Sequence, residues 1–276
     1  MAASVGLAGL GSAMAAIEGG GTVVLANKEP LVSAGDLVTA AAARHGRQLH
    51  DVRDPRPGIP VGNGKRREGK RLLTVGTDCS VGKMYATLCL ERGMRARGMA
   101  ADFRATGQTG ILIAGSGVPL DAVIADFISG AIEDISPART DGGWDLIEGQ
   151  GSLFHPSFAG VSTGLLHGAQ PAALVLCHDP MRAHMRGLPH YPVPGLKETL
   201  EANLAVARLT SPEVQAVGVA LNTSKLARAE AERLCAETAD ALGLPCTDPY
   251  AMGVDPIIDR IDQCFEASSR VATLSL

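Results

Sequence analysis

Aromatic residues are scarce in this chain: 276 residues hold one Trp, three Tyr and five Phe. A protein that binds single-stranded nucleic acid needs flat rings on which bases stack, so that class is disfavoured. Positive charge is not in excess either. The formal net charge is −4, which leaves no broad basic surface to track a phosphate backbone. The six cysteines stand singly at positions 79, 89, 177, 235, 246 and 264, with no CxxC pair, so zinc-site and thioredoxin-type readings fall away. Reduced thiols in a chain of this size fit a cytoplasmic location, which is the expectation here. No apolar run reaches the roughly 18 residues that a membrane span needs. The first 20 residues are small and apolar but lack a basic start and carry Glu18, so they do not read as a signal peptide. Neither a nucleic acid nor a membrane is expected as a partner, and no internal repeat is evident.

What is abundant is aliphatic: hydrophobic residues make up 46% of the chain, enough for a sizeable core. The stretch 55–69 (PRPGIPVGNGKRREG) is rich in Pro, Gly and charge and reads as a linker, with Lys65, Arg66, Arg67, Lys70 and Arg71 taken as solvated. The chain then divides into an N-terminal αβ segment over residues 1–54, the linker, and an α/β domain over 70–276. In that domain five short apolar runs read as buried parallel strands: Arg71–Val75, Ala100–Arg104, Trp144–Glu148, Ala172–Cys177 and Gln215–Leu221. Helical patterns lie between them at Gly82–Arg97, Leu120–Ile135, Leu196–Leu209 and Leu226–Leu242. The second is the clearest, with apolar residues at 120, 123, 124, 127, 128, 131, 132 and 135 on one face of a helical repeat. Strand–helix alternation predicts a parallel sheet with helices on both faces.

In such a sheet, ligands bind beyond the carboxyl ends of the strands, and the unusual polar residues fall there. Gly76-Thr77-Asp78-Cys79-Ser80-Val81-Gly82-Lys83 follows the first strand and matches GxxxxGK. Its glycines let the backbone curl with N–H groups facing inward, the next helix aims its positive end at an anion, and Lys83 adds charge. Cys79 sits within this loop and reads as structural rather than nucleophilic. The residue after the lysine is Met84, where Ser or Thr normally holds Mg²⁺, so either Asp78 and Glu148 hold a metal alone or metal-dependent phosphoryl transfer is lost. Glu148 ends the third run before Gly-Gln-Gly and occupies the place of a metal- or substrate-binding acid. The loop from His178 to Pro192 holds His178, Arg182, His184, Arg186 and His190, a set able to bind a carboxylate with one His as base. His155 and His167 flank a Gly-rich stretch as weaker candidates.

At these residues the sequence resembles two groups. The broad one is the dethiobiotin-synthetase-like branch of P-loop proteins, by Gly76-Thr-Asp to Val-Gly-Lys83, Glu148-Gly to Gly151, and Leu221-Asn222. That resemblance implies a P-loop NTPase-like fold, Asp78 and Glu148 near metal or phosphate, and Asn222 near an adenine base. The closer match is a family assigned D-glutamate N-acetyltransferase activity. Its hallmarks are similar to VGTDCSVGKM (Val75–Met84), ADFRATGQTGILIAG (Ala101–Gly115), DAVIADFISGA (Asp121–Ala131), WDLIEGQGSLFHPSFAGVSTGLLHGAQP (Trp144–Pro171) and LVLCHDP (Leu174–Pro180). The resemblance spans about residues 44 to 249, and within the family a Met after the P-loop lysine is usual. It implies transfer of acetyl from acetyl-CoA to the amine of D-glutamate or a similar amino acid. Residues 76–84 and Asn222 would then bind the nucleotide part. His178, Glu148 and Arg104 are the catalytic candidates. Thr106, Gln108, Gln150, His155, Arg182 and Arg186 are the substrate-binding candidates. Backbone N–H groups around Gly149–Gly151 are candidates for oxyanion stabilisation. Family members carry a larger Rossmann-like domain before the linker; here about 50 residues precede it, and Val5–Gly46 resembles part of a deoxyxylulose-phosphate reductoisomerase without that enzyme's acid cluster or dinucleotide loop. No reductoisomerase activity is assigned to it.

Two other functions compete. An ATP- and Mg²⁺-dependent ligase or kinase of the dethiobiotin-synthetase type uses the same loop, against which Met84 weighs. A non-catalytic nucleotide-binding protein is the third reading. A homo-oligomer is expected in each case.

Overall fold

The computed structural model describes residues 10–20, 23–25, 35–53 and 55–273. The N-terminal segment alternates helix α1 (Leu10–Glu18), strand β1 (Val23–Leu25), helix α2 (Gly35–Arg44) and strand β2 (Leu49–Asp51). The two short strands pair in parallel, and Ala13, Ile17, Val38, Ala41 and Ala42 form a small aliphatic core of their own. Residues 5–9, 21–22 and 26–34 of the reductoisomerase-like stretch lie outside the described residues.

The main domain is built on β3 (Lys70–Gly76), β4 (Ala101–Arg104), β5 (Trp144–Ile147), β6 (Ala173–His178), β7 (Gln215–Leu221) and β8 (Cys246–Thr247). All are parallel, in the order β4-β5-β3-β6-β7-β8. Between them run α3 (Lys83–Ala96), α4 (Gln108–Ala114), α5 (Ile128–Ile135), α6 (Ala159–Ala169), α7 (Leu196–Arg208), α8 (Arg228–Leu242) and α9 (Asp255–Thr273). The strands read as unbroken aliphatic runs because both faces are covered. Leu72, Leu146, Val175, Val217 and Ala220 meet Ala86, Leu90 and Met94 of α3 and Ile257, Ile258 and Ile261 of α9 on one face. On the other, Leu73, Val75, Ile147, Leu174, Leu176 and Val219 meet α5, α6, α7 and α8. The expected α/β architecture, a parallel sheet between helical layers after a small αβ segment, is the observed one. All five expected strands are present within a residue or two. β8, α4, α6 and α9 are additions.

The helix expected across Leu120–Ile135 is broken. Two single 3₁₀ turns, Leu120–Ala122 and Ala125–Phe127, precede α5. Val123 and Ile124 adopt extended backbone between them, with ψ of 136° and 137°. Two adjacent β-branched residues are stiff and tolerate extension better than helix. The N–H of Leu120 is also tied to the carbonyl of Thr106, at 3.1 Å, which fixes the chain before any helix can start.

The stretch 55–69 has no regular structure, yet it is not a loose spacer. The N–H groups of Asn63 and Gly64 donate to Glu133 at 2.9 and 3.0 Å. Arg67 donates to the carbonyls of Ser136 and Gly168, and buried Arg71 donates to that of Ala169. Of the basic run expected to be solvated, Lys65 and Arg66 are exposed, whereas Arg67 and Arg71 turn inward to satisfy helix-end carbonyls.

Candidate functional site

The geometry of the site follows from where consecutive helices go. α3 leaves β3 toward one face, and α7, the helix after β6, packs on the other. Neighbouring strands whose following helices diverge leave a crevice at their carboxyl ends. Here that crevice brings together the loop 76–83 after β3 and the loop 178–195 after β6.

The first loop curls. Ser80 and Gly82 have φ of 54° and 102°, and Gly82 caps α3 without a side-chain bond, so the first amides of α3 have no side-chain acceptor at the N-cap. Lys83 folds back inside, 6% exposed, donating to the carbonyls of Asp78 and Gly151 at 2.8 Å each. Burial holds its ammonium below the usual lysine range, against the acidic neighbourhood of Cys79, Cys177, Asp78 and Glu148. Thr74 and Thr87 share a hydrogen bond beneath the loop at 2.9 Å, and Thr87 donates to the carbonyl of Lys83.

Asp78 is fully buried and accepts three donors drawn from both loops. Its Oδ1 takes the N–H of Cys79 at 2.6 Å; its Oδ2 takes Nη1 of Arg182 at 2.9 Å and the N–H of Arg186 at 2.7 Å. Arg182 also donates to the carbonyls of Cys79 and Ser80, and Arg186 to the hydroxyl of Ser80. Glu148, 4% exposed, sits between the N–H groups of Thr106 and Gly107, at 3.0 and 3.1 Å from its Oε2. Burial pushes its carboxyl upward, while those amides, Gln150 and Lys83 pull it down. Both oxygens of Asp78 are taken by donors and Met84 supplies no oxygen, so the loop itself does not offer the ligands Mg²⁺ takes there. Asp78, Cys79 and His155 also lie within ligand spacing of one another. However, His155 Nδ1 accepts the N–H of Ser157, which leaves Nε2 to donate to the carbonyl of Arg186. Both its ring nitrogens are used.

His178 closes the crevice. Its Nδ1 lies 2.9 Å from the Thr77 hydroxyl, and its carbonyl accepts the N–H of Asn222 at 2.8 Å. Burial lowers its pKa, opposed by Asp179, so the neutral ring, able to accept a proton, dominates at neutral pH. Gln150 donates to Thr106, whose hydroxyl donates to the Glu148 carbonyl.

The remaining candidates are placed elsewhere. The Arg104 guanidinium is engaged by Asp145 at 2.7–2.8 Å, in a network on the sheet with Arg139 and Asp102. Gln108 accepts from Arg53, which also bonds Asp121 and so ties the N-terminal segment to the main domain. Gly149 uses its N–H on the Thr74 hydroxyl at 3.0 Å, which removes it from the oxyanion donors expected at 149–151. His184 and His190 are exposed on the loop after β6, and His167 lies in the last turn of α6.

Beside the phosphate loop opens a cleft of about 610 Å³. Val81, Gly82, Tyr85, Asn222, Thr223 and Tyr250 are among its walls. Asp248 braces this wall: its Oδ2 accepts the N–H and hydroxyl of Thr223 at 2.9 and 2.6 Å, and its Oδ1 accepts the N–H groups of Tyr250 and Ala251. This acid and the tyrosines were not legible in the sequence, because β8 is two residues long and shows no periodicity. The Asp-Pro pair after it was the one available signal. An anion held by the loop and a flat polar ring in the cleft would lie side by side.

Residues 60–258 match a domain of unknown function, the DUF1611 C-terminal P-loop domain, and residues 1–35 match 1-deoxy-D-xylulose 5-phosphate reductoisomerase. The chain is 52% identical over 246 residues to a protein of a Pseudoalteromonas species named D-glutamate N-acetyltransferase, covering 89% of this chain and 74% of that one. It is 53% identical over 226 residues to a protein of the same name from Tritonibacter scottomollicae, covering 82% and 68%. The reductoisomerase of Cellvibrio japonicus matches 49 residues at 59% identity, 18% of this chain and 12% of the enzyme. Among solved structures, a DUF1611 family protein from Anabaena variabilis superposes with a TM-score of 0.83 at 36% identity, covering 91% of this chain and 74% of that one.

Proposed function

The chain belongs to the DUF1611 P-loop family, and from that premise we propose that it is an N-acetyltransferase that moves acetyl from acetyl-CoA to the amine of D-glutamate or a similar amino acid. The observation that carries the reading is the continuity of the curled loop 76–83 with the cleft walled by Asn222, Thr223 and Tyr250. An adenine nucleotide needs both features at once. The name borne by the two relatives supplies the reaction.

In this reading the loop amides and Lys83 hold CoA phosphates, and the adenine lies in the cleft against Tyr250. An ammonium cannot attack a thioester, so a base must first take its proton. His178, kept neutral by burial and aimed by Thr77, is that base. The free amine attacks the acetyl carbonyl, the C–S bond breaks, and CoA leaves as a thiol with the proton returned.

The test is direct. Protein, acetyl-CoA and D-glutamate are mixed and free thiol is followed, with Lys83→Ala as control. Thiol release well above the control supports the assignment, and release no faster than the control overturns it.

A further inference from the structure

We propose that Arg182, held in place by Asp78, presets this phosphate loop and supplies the positive charge that a divalent cation supplies in related loops, so that nucleotide binding here is metal-independent and Asp78 is a positioning residue rather than a metal ligand. The inference rests on the nucleotide reading above and deepens it.

The argument starts from the peptide plane. In a trans peptide the carbonyl and the N–H of the next residue point in opposite directions. Arg182 holds the carbonyls of Cys79 and Ser80, at 2.5 and 3.1 Å. Pinning those two oxygens turns the N–H groups of Ser80 and Val81, which belong to the same two peptides, away from Arg182. Ser80 is held at a positive φ, a conformation uncommon for a residue with a side chain and in need of outside support. Arg182 is itself fixed by Asp78 Oδ2 at 2.9 Å, and the N–H of Arg186 converges on that same oxygen at 2.7 Å. The buried carboxylate thus meets a guanidinium and two amides. A fork-shaped cation that reaches an acid and two carbonyls together is a task for which Arg is suited and Lys is not. The loop after β6 therefore acts as a clamp, and the charge beside the phosphates is supplied by protein.

The experiment measures binding of CoA, and separately of ATP, by calorimetry in Mg²⁺ and in EDTA, for the wild type, Arg182→Ala and Arg182→Lys. The expected result is a wild-type Kd that agrees within about twofold in the two buffers. Arg182→Ala should bind about tenfold or more weakly in both, as loss of charge-assisted contacts implies, with Arg182→Lys in between. Tightening by Mg²⁺ of tenfold or more overturns the inference and leaves the nucleotide reading intact. So does wild-type affinity in Arg182→Ala. If Arg182→Ala does not fold, the wild-type comparison alone decides. Failure of the wild type to bind either nucleotide in both buffers overturns the inference and the reading together.

Discussion

The same substitution, Gly to Ala, should have opposite effects at Gly149 and Gly160. At Gly149, just beyond β5, an added Cβ would lie 1.7 Å from the carbonyl oxygen of Thr74 and 2.8 Å from both the Thr74 carbonyl carbon and Lys83 Cδ. Thr74 is in the middle of β3, paired with Val175 of β6, so its backbone has no room to yield. Overpacking of a tight site costs about 1–3 kcal/mol, and a backbone clash this close belongs at the upper end. Displacement also breaks the Gly149 N–H bond to Thr74 Oγ1, which contributes about 0.5–1.5 kcal/mol. The sum is roughly 3.5–4.5 kcal/mol, or a fall in Tm of about 7–18 °C at about 2–4 °C per kcal/mol for a domain of this size. Gly160 lies exposed in the first turn of α6, with nothing within 4 Å of an added Cβ. Ala there restricts the unfolded chain and should stabilise by about 0.4–1 kcal/mol. Urea unfolding of the two variants beside the wild type measures both. If Gly149→Ala falls within 1 kcal/mol of the wild type, the close approach of β5's end to β3 is wrong.

Two further outcomes follow from buried charge. Asp145 is fully buried and bonds Arg104 and Arg139, so Asp145→Ala should destabilise by about 3–5 kcal/mol, and Asp145→Asn by less, in urea unfolding. An effect below about 1 kcal/mol would place that carboxylate outside the core network. Burial lowers the His178 pKa, so the unfolded chain takes up its proton more readily than the folded one. Stability contributed by the neutral ring is present above the ordinary histidine pKa of about 6.5 and is lost as pH falls through that range. Thermal unfolding of the wild type should therefore drop from pH 7.5 to 5.5 more steeply than that of His178→Gln; equal slopes would refute this.

Legibility differed from one feature to the next for physical reasons. The phosphate loop was readable because its glycines, its lysine and the flanking apolar strand are adjacent in sequence. Glu148 was readable because it ends an apolar run. The apolar spacing across 120–135 predicts one helix because it cannot register that Val123 and Ile124 sit extended. A basic run next to glycines reads as solvated, because nothing in it signals the helix-end carbonyls that receive Arg67 and Arg71. The place of Arg104 at a strand end points to the site, yet Asp145, 41 residues away in sequence, takes its guanidinium.

Sequence alone determined the strands, the parallel sheet and the phosphate loop, because each is written in local periodicity or contiguous spacing. Only the tertiary structure decided what the acids do. Asp78 meets Arg182 and Arg186 more than 100 residues further along, and Asp248 braces Thr223 from the position just after a two-residue strand. Such pairs depend on how neighbouring strands send their helices to opposite faces, and no local pattern of residues encodes that.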